Sequence, residues 1–288
     1  MPVLYRRRAR VALPLKLRNA LACVPLALLL HASESLAVRP FVTDDARIVD
    51  RGQIETENWL ETNRADGSWD PAPGLNTIWG ASLTDWFEVL GGAGIGNDRQ
   101  SGSTIANPVL IGKLLFKAAE VNGAPGLAFS ASTTFDRGRG SMYDEGRVTA
   151  YTGMATYRLW DDDVNIHANL GWRYDKGPDN ITRDRPYWGI GADIKTPKDK
   201  LQFVIEAFAG DPFIVNAPKY AFQTGFRWME SENLQMDLTF GFQPETDGSY
   251  RRSGGYEKSV QLGVRLLFDA FTPGGRAGNP EGARGLFH

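Results

Sequence analysis

The chain has 288 residues, with 32 Lys and Arg set against 34 Asp and Glu, a formal net charge of −2, and one cysteine. That balance removes any reason to expect a polyanion such as nucleic acid as partner, and one cysteine excludes a disulfide-stapled fold. Hydrophobic residues make up 42%, but after residue 37 no apolar run approaches the roughly 20 residues of a spanning helix. A soluble domain and a β-barrel remain.

In chain order, residues 1–37 read as a secretory signal peptide that is cleaved. Arg6, Arg7, Arg8, Arg10, Lys16 and Arg18 form its basic region, ALACVPLALLL its apolar stretch, and Ser35-Leu36-Ala37 its small-x-small end. Cys23, the single cysteine, lies inside the apolar stretch and not at its end, where a lipidated cysteine would stand. Residues 38–52 form a lead-in on the periplasmic side. It carries the adjacent pair Asp44 and Asp45 and ends at Gly52.

From residue 53 the pattern has period two, the signature of strands with one apolar and one polar face. Strands are predicted at 53–63, 74–83, 86–96, 108–117, 126–136, 148–160, 164–175, 187–195, 201–210, 219–229, 234–243 and 259–268. The clearest is 164–175, VNIHANLGWRYD. It sets Val164, Ile166, Ala168, Leu170, Trp172 and Tyr174 against Asn165, His167, Asn169, Gly171, Arg173 and Asp175. The connections mostly alternate between long and short, as in RADGSWDPAP followed by Thr84-Asp85. Short inner turns, longer outer loops and an even count of strands about ten residues long describe an outer-membrane barrel. Aromatics gather toward both strand ends, as two interfacial belts would. The fold class is therefore all-β: a transmembrane antiparallel up-and-down β-barrel of about twelve strands over 53–268, preceded by the cleaved signal peptide and followed by a Gly/Pro-rich tail, 269–288.

A charge facing lipid near the bilayer midplane costs about 2–4 kcal/mol, so the polar faces must line the lumen. The lining candidates are Glu55, Glu57, Glu88, Lys113, Arg158, His167, Arg173, Asp193, Glu206, Arg227, Asp237 and Arg265. Both signs occur in similar numbers, so these groups either pair across the lumen or line a narrow polar path. His167 reads as a hydrogen-bonded wall residue, and Asp161-Asp162-Asp163 as a solvated turn. Asp44 and Asp45 are expected at the periplasmic mouth, near inward cations such as Arg158, Arg227 or Arg265.

The stretch RPFVTDDARIVDRGQIETE resembles the opening of mature chains in the MetA-pathway of phenol degradation family of bacterial outer-membrane barrels. Pro40, Thr43, Asp44, Asp45, Ala46, Gly52, Glu55 and Glu57 match its pattern. A second motif, ASLTDWFEVLGGAGIG, matches through Leu83, Thr84, Asp85 and Glu88, with Ser82 where glycine is common; Lys113 matches an inward lysine. The tail departs from the pattern, placing the family's usual terminal aromatic at Phe268 and not at the chain end. The resemblance implies passive transport of small, aromatic or hydrophobic molecules across the outer membrane of a Gram-negative bacterium. Expected partners are outer-membrane lipid, periplasmic chaperones, the barrel-assembly machinery and such a solute. No catalytic residue, metal or cofactor is expected. A sealed structural or surface-binding barrel stays open beside the transport reading. An outer-membrane hydrolase is a weaker third reading, because a lipid-cleaving barrel needs a histidine facing outward and His167 faces in.

Overall fold

The computed structural model describes residues 41–270, apart from 66–67, 70–73, 99–101, 141, 199, 212, 215–216, 218–219 and 247–251. The expected signal peptide, and the tail beyond Ala270, lie outside the described residues. The strands are β1 (Gln53–Ala65), β2 (Ser68–Trp69), β3 (Gly74–Thr84), β4 (Phe87–Asp98), β5 (Gly102–Lys117), β6 (Gly126–Thr134), β7 (Arg147–Leu159), β8 (Val164–Lys176), β9 (Thr182–Lys195), β10 (Leu201–Ala209), β11 (Ala221–Ser231), β12 (Leu234–Thr246) and β13 (Arg252–Asp269). β2 has two residues and pairs only with the end of β1. The other twelve form a closed antiparallel barrel in sequence order. β1 and β13 complete it, in register from Gln53 opposite Asp269 to Arg64 opposite Lys258. Closure leaves no unpaired sheet edge, which a wall in hydrocarbon requires.

The two faces are inverted relative to a soluble protein. Outward Leu170 is 71% exposed and Ile190 53%, whereas inward Arg173 and Asp175 are 0% exposed. Apolar surface left bare on this scale marks a membrane-facing wall. Outward Trp172, Tyr174, Trp188, Phe240 and Phe242 stand near one end of the barrel. Tyr157 and Trp228 stand near the other, which also holds both ends of the barrel sequence.

Several predicted long loops are strand instead. β5 starts at 102 and not 108, β9 at 182 and not 187, β13 at 252 and not 259. The added residues pair in register, as Arg185 does opposite Arg173, but are polar on both faces, as in Arg183-Asp184-Arg185. Above the bilayer both sides of a strand meet water, so pairing continues where alternation stops. Pro108 also breaks the pattern, next to a register shift at Gly92 and Gly94 and to Asn107, whose φ is 22°.

Two turns follow local chemistry. Trp160, Asp161 and Asp162 take positive φ between β7 and β8, a conformation aspartate tolerates better than most residues. Arg158 closes this turn, donating to Asp162 at 2.7 and 2.9 Å. At Gly52, φ is 88°, and Gln53 N–H donates to Asp50 C=O at 2.9 Å, so the lead-in reverses into β1 where only glycine is unstrained.

Candidate functional site: the lumen and its inserted segment

The chain before β1 runs into the barrel. Phe41, Val42, Thr43, Asp45, Ala46, Ile48 and Val49 are all buried. An extended segment inside a barrel has backbone N–H groups that water no longer serves, and each one left unpaired costs free energy. Wall side chains supply the partners. Glu206 on β10 accepts the N–H of Val42 at 2.9 Å and of Thr43 at 2.7 Å. Asn169 on β8 accepts Asp44 N–H and donates to Asp44 C=O, both at 2.7 Å. Thr156 on β7 accepts Ala46 N–H at 2.9 Å. Apolar contacts add to these: Ala46 and Ile48 cluster with Leu115, Ala128 and Met154, and Val42 with Phe208 and Ala221. Gly189 and Gly191 leave room for Thr43; a Cβ on Gly189 would meet its Oγ1 at 2.6 Å.

The acidic pair therefore stands inside the wall and not at the rim; of the three expected cations Arg227 lines the same small cavity as Asp45, but the cation that binds the pair directly is another. Lys113 Nζ reaches Asp44 at 2.8 Å and Asp45 at 3.7 Å. Asp45 also binds the guanidinium of Arg47, its neighbour in the segment. Arg158 serves the turn described above. Arg265 donates to Glu55 at 2.7 and 3.0 Å, with Glu57 at 4.0 Å. Arg227 donates to Asp193 at 2.7 Å and Asp237 at 2.8 Å, and the Phe41 ring lies 5.4 Å from it. An arginine fork between carboxylates is the arrangement that offsets the desolvation of three buried charges.

His167 links the segment to this network. Thr156 Oγ1, which accepts from Ala46 N–H, also lies 3.0 Å from His167 Nδ1. The ring's other nitrogen, Nε2, faces Asp193 at 3.4 Å. The histidine is a wall residue with both nitrogens occupied. Glu88 is buried level with Lys113 across the β4–β5 pair.

The outer half is filled by other groups. Arg173 donates to Asp175 at 2.6 Å, to the carbonyl of Ile214 at 2.6 Å and to that of Asp211. Arg185 donates to the carbonyl of Ala217 at 2.9 Å. The bonds from Arg173 and Arg185 to these three carbonyls tie the connection between β10 and β11 onto the inner face of β8 and β9. The connection between β6 and β7 is tied to β5: Ile105 and Arg139 exchange backbone hydrogen bonds at 3.0 and 2.9 Å, and Asn107 bonds Asp144.

Two features were not legible in the sequence. Thr156 and Asn169 hold the segment, yet as neutral wall residues they stood out in no pattern beyond alternation. An inward apolar cluster, Ile78, Leu90, Val109 and Ile111, lies on the staves whose alternation is weakest.

Known proteins bear on this geometry at two levels. The profile of the family described as Uncharacterised conserved protein UCP029691 matches residues 25–251. No curated protein matches the chain. Among solved structures, the COG4313 outer membrane channel from Pseudomonas putida F1 superposes with a TM-score of 0.52 at 10% identity, covering 81% of this chain and all 100% of that one. The KdgM porin in complex with disordered oligogalacturonate superposes with a TM-score of 0.50 at 8% identity, covering 74% and 99%. At such identities the likeness is one of fold, that of an outer-membrane β-barrel.

Proposed function

This chain belongs to the family of Uncharacterised conserved protein UCP029691, and we propose that it is an outer-membrane channel for the passive movement of small molecules, closed at rest by residues 41–49. The observation that carries this reading is the nature of the closure. The segment is not part of the sheet: wall side chains, namely Glu206, Asn169, Thr156 and Lys113, hold it one bond at a time. Each such bond contributes about 0.5–1.5 kcal/mol, or about 1.5–3 where a charge takes part. They can open without disturbing the barrel, whose own pairing is complete. The wall charges that remain, Glu55, Glu57, Glu88, His167, Arg173, Asp193, Arg227, Asp237 and Arg265, pair among themselves or face the lumen, and would line the opened path. The resemblance to the MetA-pathway of phenol degradation family supports small aromatic or hydrophobic molecules as cargo, and the solved outer-membrane channels of the same fold support transport as the activity. Outer-membrane lipid surrounds the barrel, and periplasmic chaperones and the assembly machinery deliver it.

Single-channel conductance in planar bilayers tests this. The full mature chain should show low conductance and a variant lacking 41–50 a larger, steady one. Equal conductance in a folded deletion variant would sink the closure. Silence from both would favour the second reading, a sealed structural barrel, for which the dense inner pairing of Arg173, Arg227 and Arg265 speaks.

A further inference from the structure

The inner wall carries an apolar patch on one arc, beside the buried pair Glu88 and Lys113. The inward positions of β3, β4 and β5 include Ile78, Leu90, Val109 and Ile111, buried as one cluster, with Trp59 and Phe213 packed against it. Phe213 is not a wall residue. It follows β10, and β10 lies across the barrel from β4 in the strand order. Asp211 accepts the Phe213 N–H at 2.8 Å, and Arg173 binds the carbonyls on either side of it. The ring therefore crosses from a charged wall to rest on an apolar one. Met142, from the connection between β6 and β7, extends the same line outward: a Cβ on Gly94 would meet its Cε at 3.0 Å, and one on Gly96 its Sδ at 2.9 Å.

This arrangement has a chemical preference. The cluster presents no donor or acceptor, so a charged or strongly hydrated solute gains nothing there and loses its water. An apolar ring gains about 25 cal/mol for each Å² taken from water. The wall needs an apolar cover to stay dry, and beside Trp59 of β1 that cover is the loop side chain of Phe213. A free ring of similar size would bury the same area in its place.

We propose that the β3–β5 arc is a binding subsite for small solutes carrying an uncharged apolar ring, with Phe213 standing in for that ring in the resting protein. The inference rests on the transport reading for its purpose but not for the binding itself.

Fluorobenzene is titrated into the folded protein in detergent and followed by fluorine NMR. The Phe213→Ala variant should bind it saturably and about tenfold more tightly than the parent, because the competing ring is gone. Ile78→Asn in the Phe213→Ala background should reduce uptake to the non-saturable partition shared by every barrel with this outer belt. Val109→Thr, which keeps the shape of the side chain, is the milder second variant and should weaken binding severalfold. Crystals of Phe213→Ala soaked with bromobenzene should show anomalous bromine signal over Ile78 and Leu90. Non-saturable uptake by Phe213→Ala, with bromine only on the outer belt, would overturn the subsite. Liposome swelling with arabinose reads the channel separately. Swelling without ring binding removes the subsite and leaves the channel; ring binding without permeation does the reverse.

Discussion

The two arcs of the lumen wall solve the same problem in opposite ways. On β8–β12 the charged inward groups find fixed partners: Arg227 with Asp193 and Asp237, Arg173 with Asp175, Glu206 with two backbone amides of the inserted segment. On β3–β5 the inward cluster is apolar and is covered by a ring from a connection. Charges in a confined space are directional, so they specify one partner in one pose. Apolar surface is indifferent to which apolar group covers it. The charged arc is therefore suited to holding one particular segment in place, and the apolar arc to exchanging its cover.

The comparison predicts a ranking of effects, the largest on the charged arc. Arg227→Leu leaves Asp193 and Asp237 buried without their cation, which should cost about 3–5 kcal/mol. Urea unfolding of the refolded protein, read by its heat-modifiable band, should shift strongly; a shift as small as that of a surface substitution would mean water reaches this arc freely. Next is Glu206→Gln, which removes the charge that accepts the amides of Val42 and Thr43. Bonds to a charged acceptor are worth about 1.5–3 kcal/mol. The barrel should fold as before while the segment opens more often, seen as more frequent conductance steps. Because Lys113 and Asp45 are buried beside it, raising salt should change that frequency little, since screening acts weakly on buried pairs. A steep salt dependence would place the segment in open water.

The smallest effect is expected outside the barrel. The Arg183 side chain donates to Asp179 in the connection between β8 and β9 and holds that carboxyl down at about 2. A depressed acid contributes stability above its unfolded value, about 3.9, and loses it as pH falls through about 2. Both side chains are solvated, and exposed pairs contribute little. Asp179→Asn should leave unfolding unchanged within error at neutral pH. A clear loss would show that the outer connections carry more of the stability than the contrast between the arcs allows.

Much of this molecule is legible in its sequence. Alternation located the staves because one face of each meets hydrocarbon and the other does not, and a one-residue slip would turn every charge outward. Leu170 and Arg173 sorted to opposite faces on that ground alone. Alternation faded where the physics behind it fades: above the bilayer, where Arg183-Asp184-Arg185 are polar on both sides, and over the part of β3–β5 where Ile78, Leu90, Val109 and Ile111 make the inner face apolar like the outer. The aspartates between β7 and β8 announced their turn, since positive φ selects residue types locally.

What lies inside was decided by tertiary structure. The sequence shows two aspartates before the first strand and several inward cations, but nothing in it says which cation they meet. Lys113 is that partner because the segment lies against the inner face from β10 round to β5, a path set by the carboxylate of Glu206, the amide of Asn169 and the space at Gly189. Likewise, no spacing ties Phe213 to Ile78. They meet because a closed barrel of twelve staves brings the connection after β10 across from β4. Period two is a local property of each strand facing two solvents, whereas lumen contacts join residues far apart in the chain, and only closure of the sheet brings them within reach.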